Sequence, residues 1–380
     1  MKIFKLRTIL ILSLSSFLLV HCTSDPIPGP PGADGIDGID GIDGEDGADG
    51  TASCVNCHSN SVRGPIENSF MLSKHGSSFV GFAAGRGGED PTNRCAQCHG
   101  EEGFVDYLEL GEANEDGYDN PSPFFCSTCH TDHRTFDFEN DGPDYAIRNI
   151  DPVTLVIDGS TVIDFQGSSN NCITCHQPRS SYVIPAEDGT GKYVVTSSRF
   201  GPHHGPQSTM LEGVMGANLA GSEGYPGVGT AAHRTGASCV ACHMGESADE
   251  SEGLHSWVPT DMACAQCHPS GAPDQLGGFD DRMATLKQLL GEVIGEEYAV
   301  DSLGDPVYDM DGNPVGTGVP VMGIIVDVPE ENRSQTGIFT TAEAQAAWNY
   351  MTLLEDASQG VHNPGYARAL LENSIEALED

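Results

Sequence analysis

The sequence predicts a mainly α chain with extensive irregular loops, minor β-hairpins and C-terminal helices, organised around covalently held groups rather than around a large apolar core. Three observations carry this prediction. Only 38% of the 380 residues are hydrophobic, against 47 Gly and 23 Pro, so side chains alone make a thin core. Twelve of the thirteen cysteines fall in six copies of one motif, C-x-x-C-H. The last hundred residues lack Cys and show the 3.6-residue periodicity of amphipathic helices.

At the N-terminus, Lys2, Lys5 and Arg7 precede an apolar run from Ile9 to Val20, the pattern of a secretory signal. The run is too short to cross a bilayer as a helix, and no other segment is apolar enough to do so. Cys22 follows directly, with Leu19 three residues before it, and this arrangement resembles the lipobox of bacterial lipoproteins. His21 stands where Gly, Ala or Ser is usual in that pattern. Residues 1–21 are therefore expected to be a signal peptide and Cys22 a lipid-carrying residue in the outer membrane; the alternative is an ordinary cleavage site followed by an incidental thiol.

From Gly29 to Gly50 glycine falls at every third position (GPPGADGIDGIDGIDGEDGADG), the period of a collagen triple helix. Seven triplets without a basic residue are few. Residues 22–52 read as a short stalk on the lipid anchor, with a trimeric stem as the alternative.

Residues 53–275 hold the six motifs: Cys54, Cys57 and His58; Cys95, Cys98 and His99; Cys126, Cys129 and His130; Cys172, Cys175 and His176; Cys239, Cys242 and His243; Cys264, Cys267 and His268. Two thiols three residues apart on a helical turn reach the two vinyl groups of one porphyrin, and the adjacent His is aimed at its iron. Zinc knuckles and disulfides also use C-x-x-C pairs, but neither requires a His at the fifth position, which is present in all six. The expected cofactors are six haems c, stacked within an irregular mainly α framework.

Fourteen His include these six and His21. The other seven, His75, His133, His203, His204, His233, His255 and His362, supply second ligands for six irons with one to spare. His133 follows His130 by three residues and can reach a neighbouring iron, whereas adjacent His203 and His204 must point apart, toward two different haems. Met244, directly after His243, is a weaker thioether candidate. Two imidazoles on each iron leave no open face for a small substrate.

Between the motifs, two stretches read as β-hairpins: Val153–Phe165 with Asp158 and Gly159 at the turn, and Val307–Val315 with Asp311 and Gly312. Both are short enough to read as decoration. Residues 276–380 form the C-terminal helical segment expected to pack on the haem region. A helix is expected from Arg282 to Ile294, with Met283, Leu286, Leu290, Val293 and Ile294 on one apolar face. A second starts near Thr340, where Thr340 and Glu343 form a T-x-x-E capping box, and runs through Trp348 and Leu354. A third follows Pro364 and carries Leu370, Leu371, Ile375 and Leu378.

The stretch CVACHM, the GLHSWVPT around His255 and the AAWNYMTLLEDASQGVHNPGYARALLENSI around His362 resemble the multihaem cytochrome lineage of the ammonia-forming nitrite reductases and their octahaem relatives. RFGPHHGPQSTML, with the SKH of His75, resembles the extracellular cytochromes that polymerise into nanowires. The first resemblance implies distal-ligand roles for His255 and His362. The reductases carry Lys in place of the His of one motif, and all six motifs here keep His. The second implies a chain of closely placed haems, with ligands sometimes exchanged between subunits.

A formal charge of −39 excludes nucleic acid as a partner. The expected function is electron transfer at the cell surface or in the periplasm, with other cytochromes or redox proteins as partners. Two alternatives remain: a reductase of nitrite, hydroxylamine, tetrathionate or a metal at one open haem, and a subunit of a self-assembling filament.

Overall fold

In a computed structural model, each of the six C-x-x-C-H motifs lies on a short helix or helical turn. The structure describes residues 52–77, 95–114, 116–178, 183–185, 191–202, 205–328 and 331–379. The expected signal peptide, the lipid site at Cys22, the glycine-repeat stalk, and His203 and His204 lie outside the described residues. Residues Cys54–Asp380 form one compact unit.

The motifs lie on α1 (Ala52–His58), α3 (Ala96–His99), α5 (Cys126–Cys129), α7 (Ser169–Ile173), α10 (Ser238–His243) and α11 (Asp261–Ala265). Where the helix is shorter than the motif, the His amide still closes the turn. His130, His176 and His268 donate to the carbonyls of Cys126, Cys172 and Cys264 at 2.9, 2.9 and 2.8 Å. Between them run α2 (Asn60–Leu72), α4 (Glu101–Leu110), α6 (Phe138–Asp141), α8 (Gln207–Glu212), α9 (Ala232–Gly236) and connecting loops.

The Val153–Phe165 hairpin forms, with β1 (Val153–Thr154) antiparallel to β2 (Val162–Ile163) and Gly159 at φ 65° in the turn. It is more than decoration. Val153, Leu155, Ile163 and Phe165 alternate onto one face and bury against Ile173 and Leu211 in a core of their own. Ile173 neighbours Cys172, and the amide of Val156 donates to Gln177 Oε1 at 2.8 Å, so the hairpin braces the fourth motif on both sides. The second expected hairpin also closes, as a bridge between Tyr308 and Pro314, with Asp309 accepting the amides of Asp311 and Asn313.

The C-terminal hundred residues combine helices with strands. Three helices, α12 (Phe279–Glu292), α13 (Thr341–Asp356) and α14 (Pro364–Glu379), pack on one another. Four strands were not foreseen as a sheet: β3 (Lys192–Val195), β4 (Ile294–Tyr298), β5 (Gly316–Met322) and β8 (Gly337–Thr340) assemble in the order β3-β8-β4-β5. A separate ribbon pairs β6 (Ile325–Val328) with β7 (Glu331–Ser334). Ile294, expected on the buried face of the first helix, instead begins β4 and is exposed. The helix ends because Val293 turns to extended backbone at ψ 149°.

The buried residues of the main apolar core run from Val195 onward and centre on Trp348, Tyr366, Phe200, Leu286 and Leu290, with Ile157, Ile184 and Tyr193 packed against them. Trp348 is fully buried, and its indole N–H donates to the Met215 carbonyl at 2.9 Å. Among the described residues of 54–150, only Phe70, Ala96, Phe104 and Ala146 are buried hydrophobics. The stretch that carries the first three motifs thus has almost no side-chain core of its own.

Candidate functional site

Five motif histidines each face one of the seven non-motif candidates. The ring centres of His58 and His133 are 6.0 Å apart, and those of His176 and His75 also 6.0 Å. His130 and His255 are 6.2 Å apart, His268 and His233 6.1 Å, and His243 and His362 6.2 Å. The separation varies by only a few tenths of an ångström, yet the angle between ring planes runs from 29° to 80°. Rings touching directly would couple distance to angle; a constant distance with free rotation is what two rings on one shared axis give. A metal–imidazole bond of roughly 2 Å, with ~1.2 Å more to the ring centre, predicts about 6.3 Å between two imidazoles on one metal ion.

Hydrogen bonds fix which nitrogen is available. Nδ1 of His130 donates to the Tyr145 carbonyl at 2.8 Å, Nδ1 of His243 to that of Trp257 at 2.8 Å and Nδ1 of His233 to that of Val361 at 2.6 Å. A carbonyl only accepts, so Nδ1 carries the proton and Nε2 keeps its lone pair. His176 Nδ1 lies 3.2 Å from Gln207 Oε1, and His362 Nδ1 2.7 Å from Asp356 Oδ1. Asp356 is buried at 1% side-chain exposure. His133 Nδ1 lies 3.9 Å from Asp144 Oδ2, and His255 Nδ1 is buried without a hydrogen-bond partner among the described residues.

At four of these rings burial favours the neutral form, the state a metal requires. It lowers His75 to about 4, helped by the charge of His176, and lowers His255 to about 4, helped by that of His130. His176 and His243 are also lowered by burial, against the opposing pull of their hydrogen bonds to Gln207 and Trp257.

Short local devices present the second histidines. His75 lies in a turn in which the buried Ser73 hydroxyl donates to the Phe70 carbonyl at 2.6 Å and accepts the Gly76 amide at 2.9 Å. His255 sits in a loop closed by Gly253, where a Cβ would collide with the Gly245 carbonyl and φ is 58°. His233 lies on α9, and His362 in the link between α13 and α14.

The motifs are also neighbours of one another. The Cys98 and Cys175 thiols are neighbours, as are those of Cys172 and Cys239, so the fourth motif adjoins the second and the fifth. Gln97 donates to the Thr174 carbonyl at 3.1 Å, and the Ser169 and Ser238 hydroxyls meet at 2.9 Å. Among the described residues the cysteines form no disulfide, and no cluster of three or more His, Cys, Asp or Glu side chains gathers as a metal site. Opposed imidazole pairs suit a planar metal cofactor inserted between them rather than a tetrahedral ion.

Large apolar side chains border the motifs with little protein over them. Val55, Phe125 and Met262 lie within or just before motifs, and Leu72 and Val258 close to His75 and His255; all five are exposed. These residues fit a haem: apolar edges for the ring, paired thiols for its vinyl groups and, at five of the six motifs, two opposed imidazoles for its iron. The anchors Tyr145, Asp356, Trp257 and Val361 carry no sequence signal, because each meets its histidine through the fold.

No family model matches the chain, and no curated protein matches it. Among solved structures it is similar to the crystal structure of outer cell wall cytochrome OcwA, at 18% identity and a TM-score of 0.46, over 82% of this chain and 49% of that one. The chain thus spans about half the length of that protein. Among the described residues no helix is long and apolar enough to cross a membrane.

Proposed function

We propose that the chain is an exported electron-transfer protein that holds six haems c, each iron bound by two histidines. The observation that carries this is the set of five imidazole pairs at 6.0–6.2 Å, each joining one motif histidine to one non-motif histidine. When bound, haem supplies one-electron transfer between ferric and ferrous iron. The chain's residues do the rest. The cysteines Cys54, Cys57, Cys95, Cys98, Cys126, Cys129, Cys172, Cys175, Cys239, Cys242, Cys264 and Cys267 attach the rings, so none is lost outside the cell.

His58 with His133, His176 with His75, His130 with His255, His268 with His233 and His243 with His362 would hold five of the irons, two imidazoles to each, and leave no place there for a small substrate. Of His203 and His204, one is proposed to serve the iron of His99. The support is positional. Gly205 packs against the backbone of Cys175 and Gln177, beside the second motif through the Cys98–Cys175 contact. Contact among the second, fourth and fifth motifs favours cofactors close enough to pass electrons in relay.

Export by residues 1–21, a lipid at Cys22 and a stalk over residues 22–52 would place this relay at the outer membrane, on the cell surface or facing the periplasm. The partners would be other redox proteins, with filament assembly through exchanged ligands as a further form.

The test is protein matured in a host that attaches haem c. It should retain six haems through acid-acetone extraction, all low-spin, and bind no cyanide. Fewer than five haems would sink the proposal. So would a high-spin haem that binds nitrite or hydroxylamine and turns it over, which would make the chain a reductase.

A further inference from the structure

Trp257 touches three of the five histidine pairs. Its indole stands at 86° to the imidazole of His75, with 4.5 Å between ring centres, and at 68° to that of His255, at 5.5 Å. Its carbonyl accepts the Nδ1 proton of His243 at 2.8 Å. The indole also meets Phe70 at 6.0 Å, and the carbonyl of Phe70 anchors the Ser73 turn that presents His75. His75 faces His176, His255 faces His130 and His243 faces His362, so one residue reaches the ligand sets of the third, fourth and fifth motifs.

Its backbone is held under strain for this. Trp257 has φ 57°, a left-handed conformation that a bulky residue keeps only where its surroundings impose it. Two backbone bonds impose it: the Gly253 amide donates to the Val258 carbonyl at 2.7 Å, and the Leu254 amide to the Gly245 carbonyl at 3.0 Å.

We infer that Trp257 is a positioning residue that sets the ring orientations of His75 and His255 and holds the Nδ1 proton of His243, tuning three of the six haems together. This rests on the haem proposal above. An axial imidazole turns about its bond to the metal unless a wall stops it, and an indole 4.5 Å away is such a wall for His75. The two outcomes differ: His75 and His176 stand at 80° to each other, His130 and His255 at 29°. In low-spin ferric haem the angle between ligand planes sets the splitting of the iron d orbitals. Near-perpendicular planes give one large-g resonance, and near-parallel planes give three resolved g values. A hydrogen bond accepted from Nδ1 makes the imidazole a stronger donor and favours the ferric state.

The test uses the full haem-loaded protein and two variants, Trp257→Ala and Trp257→Phe, compared by haem count, ferric electron paramagnetic resonance and redox titration. Both should keep six low-spin haems. In Trp257→Ala the large-g resonance should move toward a resolved three-line spectrum, and at most three of the six midpoint potentials should shift. Trp257→Phe keeps an aromatic wall and should lie closer to the parent on both measures. Unchanged spectra and potentials in Trp257→Ala, movement of all six potentials together, or a Phe variant no closer to the parent than the Ala variant would overturn the inference. Where Trp257→Ala does not mature, Trp257→Leu takes its place with the same expectations. Failure of the haem proposal itself shows separately, as missing haem in the unmodified protein.

Discussion

Among the second histidines, His362 has the strongest anchor. Its Nδ1 lies 2.7 Å from the carboxylate of Asp356, which also accepts the Ser358 hydroxyl and is shielded from solvent. A carboxylate draws the Nδ1 proton more strongly than a carbonyl does, so His362 should be the more electron-rich partner of the iron it shares with His243 under the haem proposal. Asp356→Asn should therefore raise the midpoint potential of one haem. A tenfold loss of ferric preference corresponds to about 59 mV for one electron. Redox titration checks it: a potential that stays put or falls would mean that Asp356 only braces the loop. At this scale the sequence was legible where the chemistry is contiguous, as in C-x-x-C-H. It was illegible where a partner arrives through the fold: nothing in Asp356, Tyr145 or Trp257 marks its histidine, and two of those contacts use a backbone carbonyl that every residue possesses.

The helices were legible because their signals are local. Thr340 accepts the Glu343 amide at 3.2 Å while the Glu343 carboxylate accepts the Thr340 amide at 2.7 Å, the reciprocal capping read from T-x-x-E. Thr340→Ala should cost about 1 kcal/mol of stability, measured by denaturant unfolding of the loaded protein. The cost should appear although haem content and spectra do not change, since the cap lies at the start of α13 and His362 follows its end. The sheet was hidden for the opposite reason. β3 pairs with β8 from Lys192 opposite Thr340 to Val195 opposite Gly337, well over a hundred residues apart in sequence. β5, GTGVPVM, carries Gly and Pro that argue against a strand, and it tolerates them as an edge. Gly295 in β4 admits the ring of Phe339, where a Cβ would clash, a close approach that no pattern of apolar residues announces. The Val153–Phe165 hairpin was seen, but its weight was not, because the partners Ile173 and Leu211 lie beyond it in the chain.

Across the whole molecule, apolar burial is unequal. The main cluster begins at Val195, while the described part of 54–150 buries Phe70, Ala96, Phe104 and Ala146 and little else. So few side chains cannot offset the conformational entropy of ordering that stretch, and exposed Val55, Leu72 and Phe125 border its motifs and the turn to His75. Under the haem proposal the porphyrins supply the missing apolar contact, so haem attachment and folding are one event there, as in small metal-bound domains. Protein made without haem attachment should therefore be cut first within 54–150 by a nonspecific protease. A fragment holding α12, α13, α14 and the sheet should survive longer, because Trp348, Tyr366, Leu286 and Leu290 are buried by protein alone. Loaded protein should lose this difference. Equal cleavage of both halves without haem would mean that the C-terminal core also depends on it, and resistance throughout would mean that the motif region folds unaided.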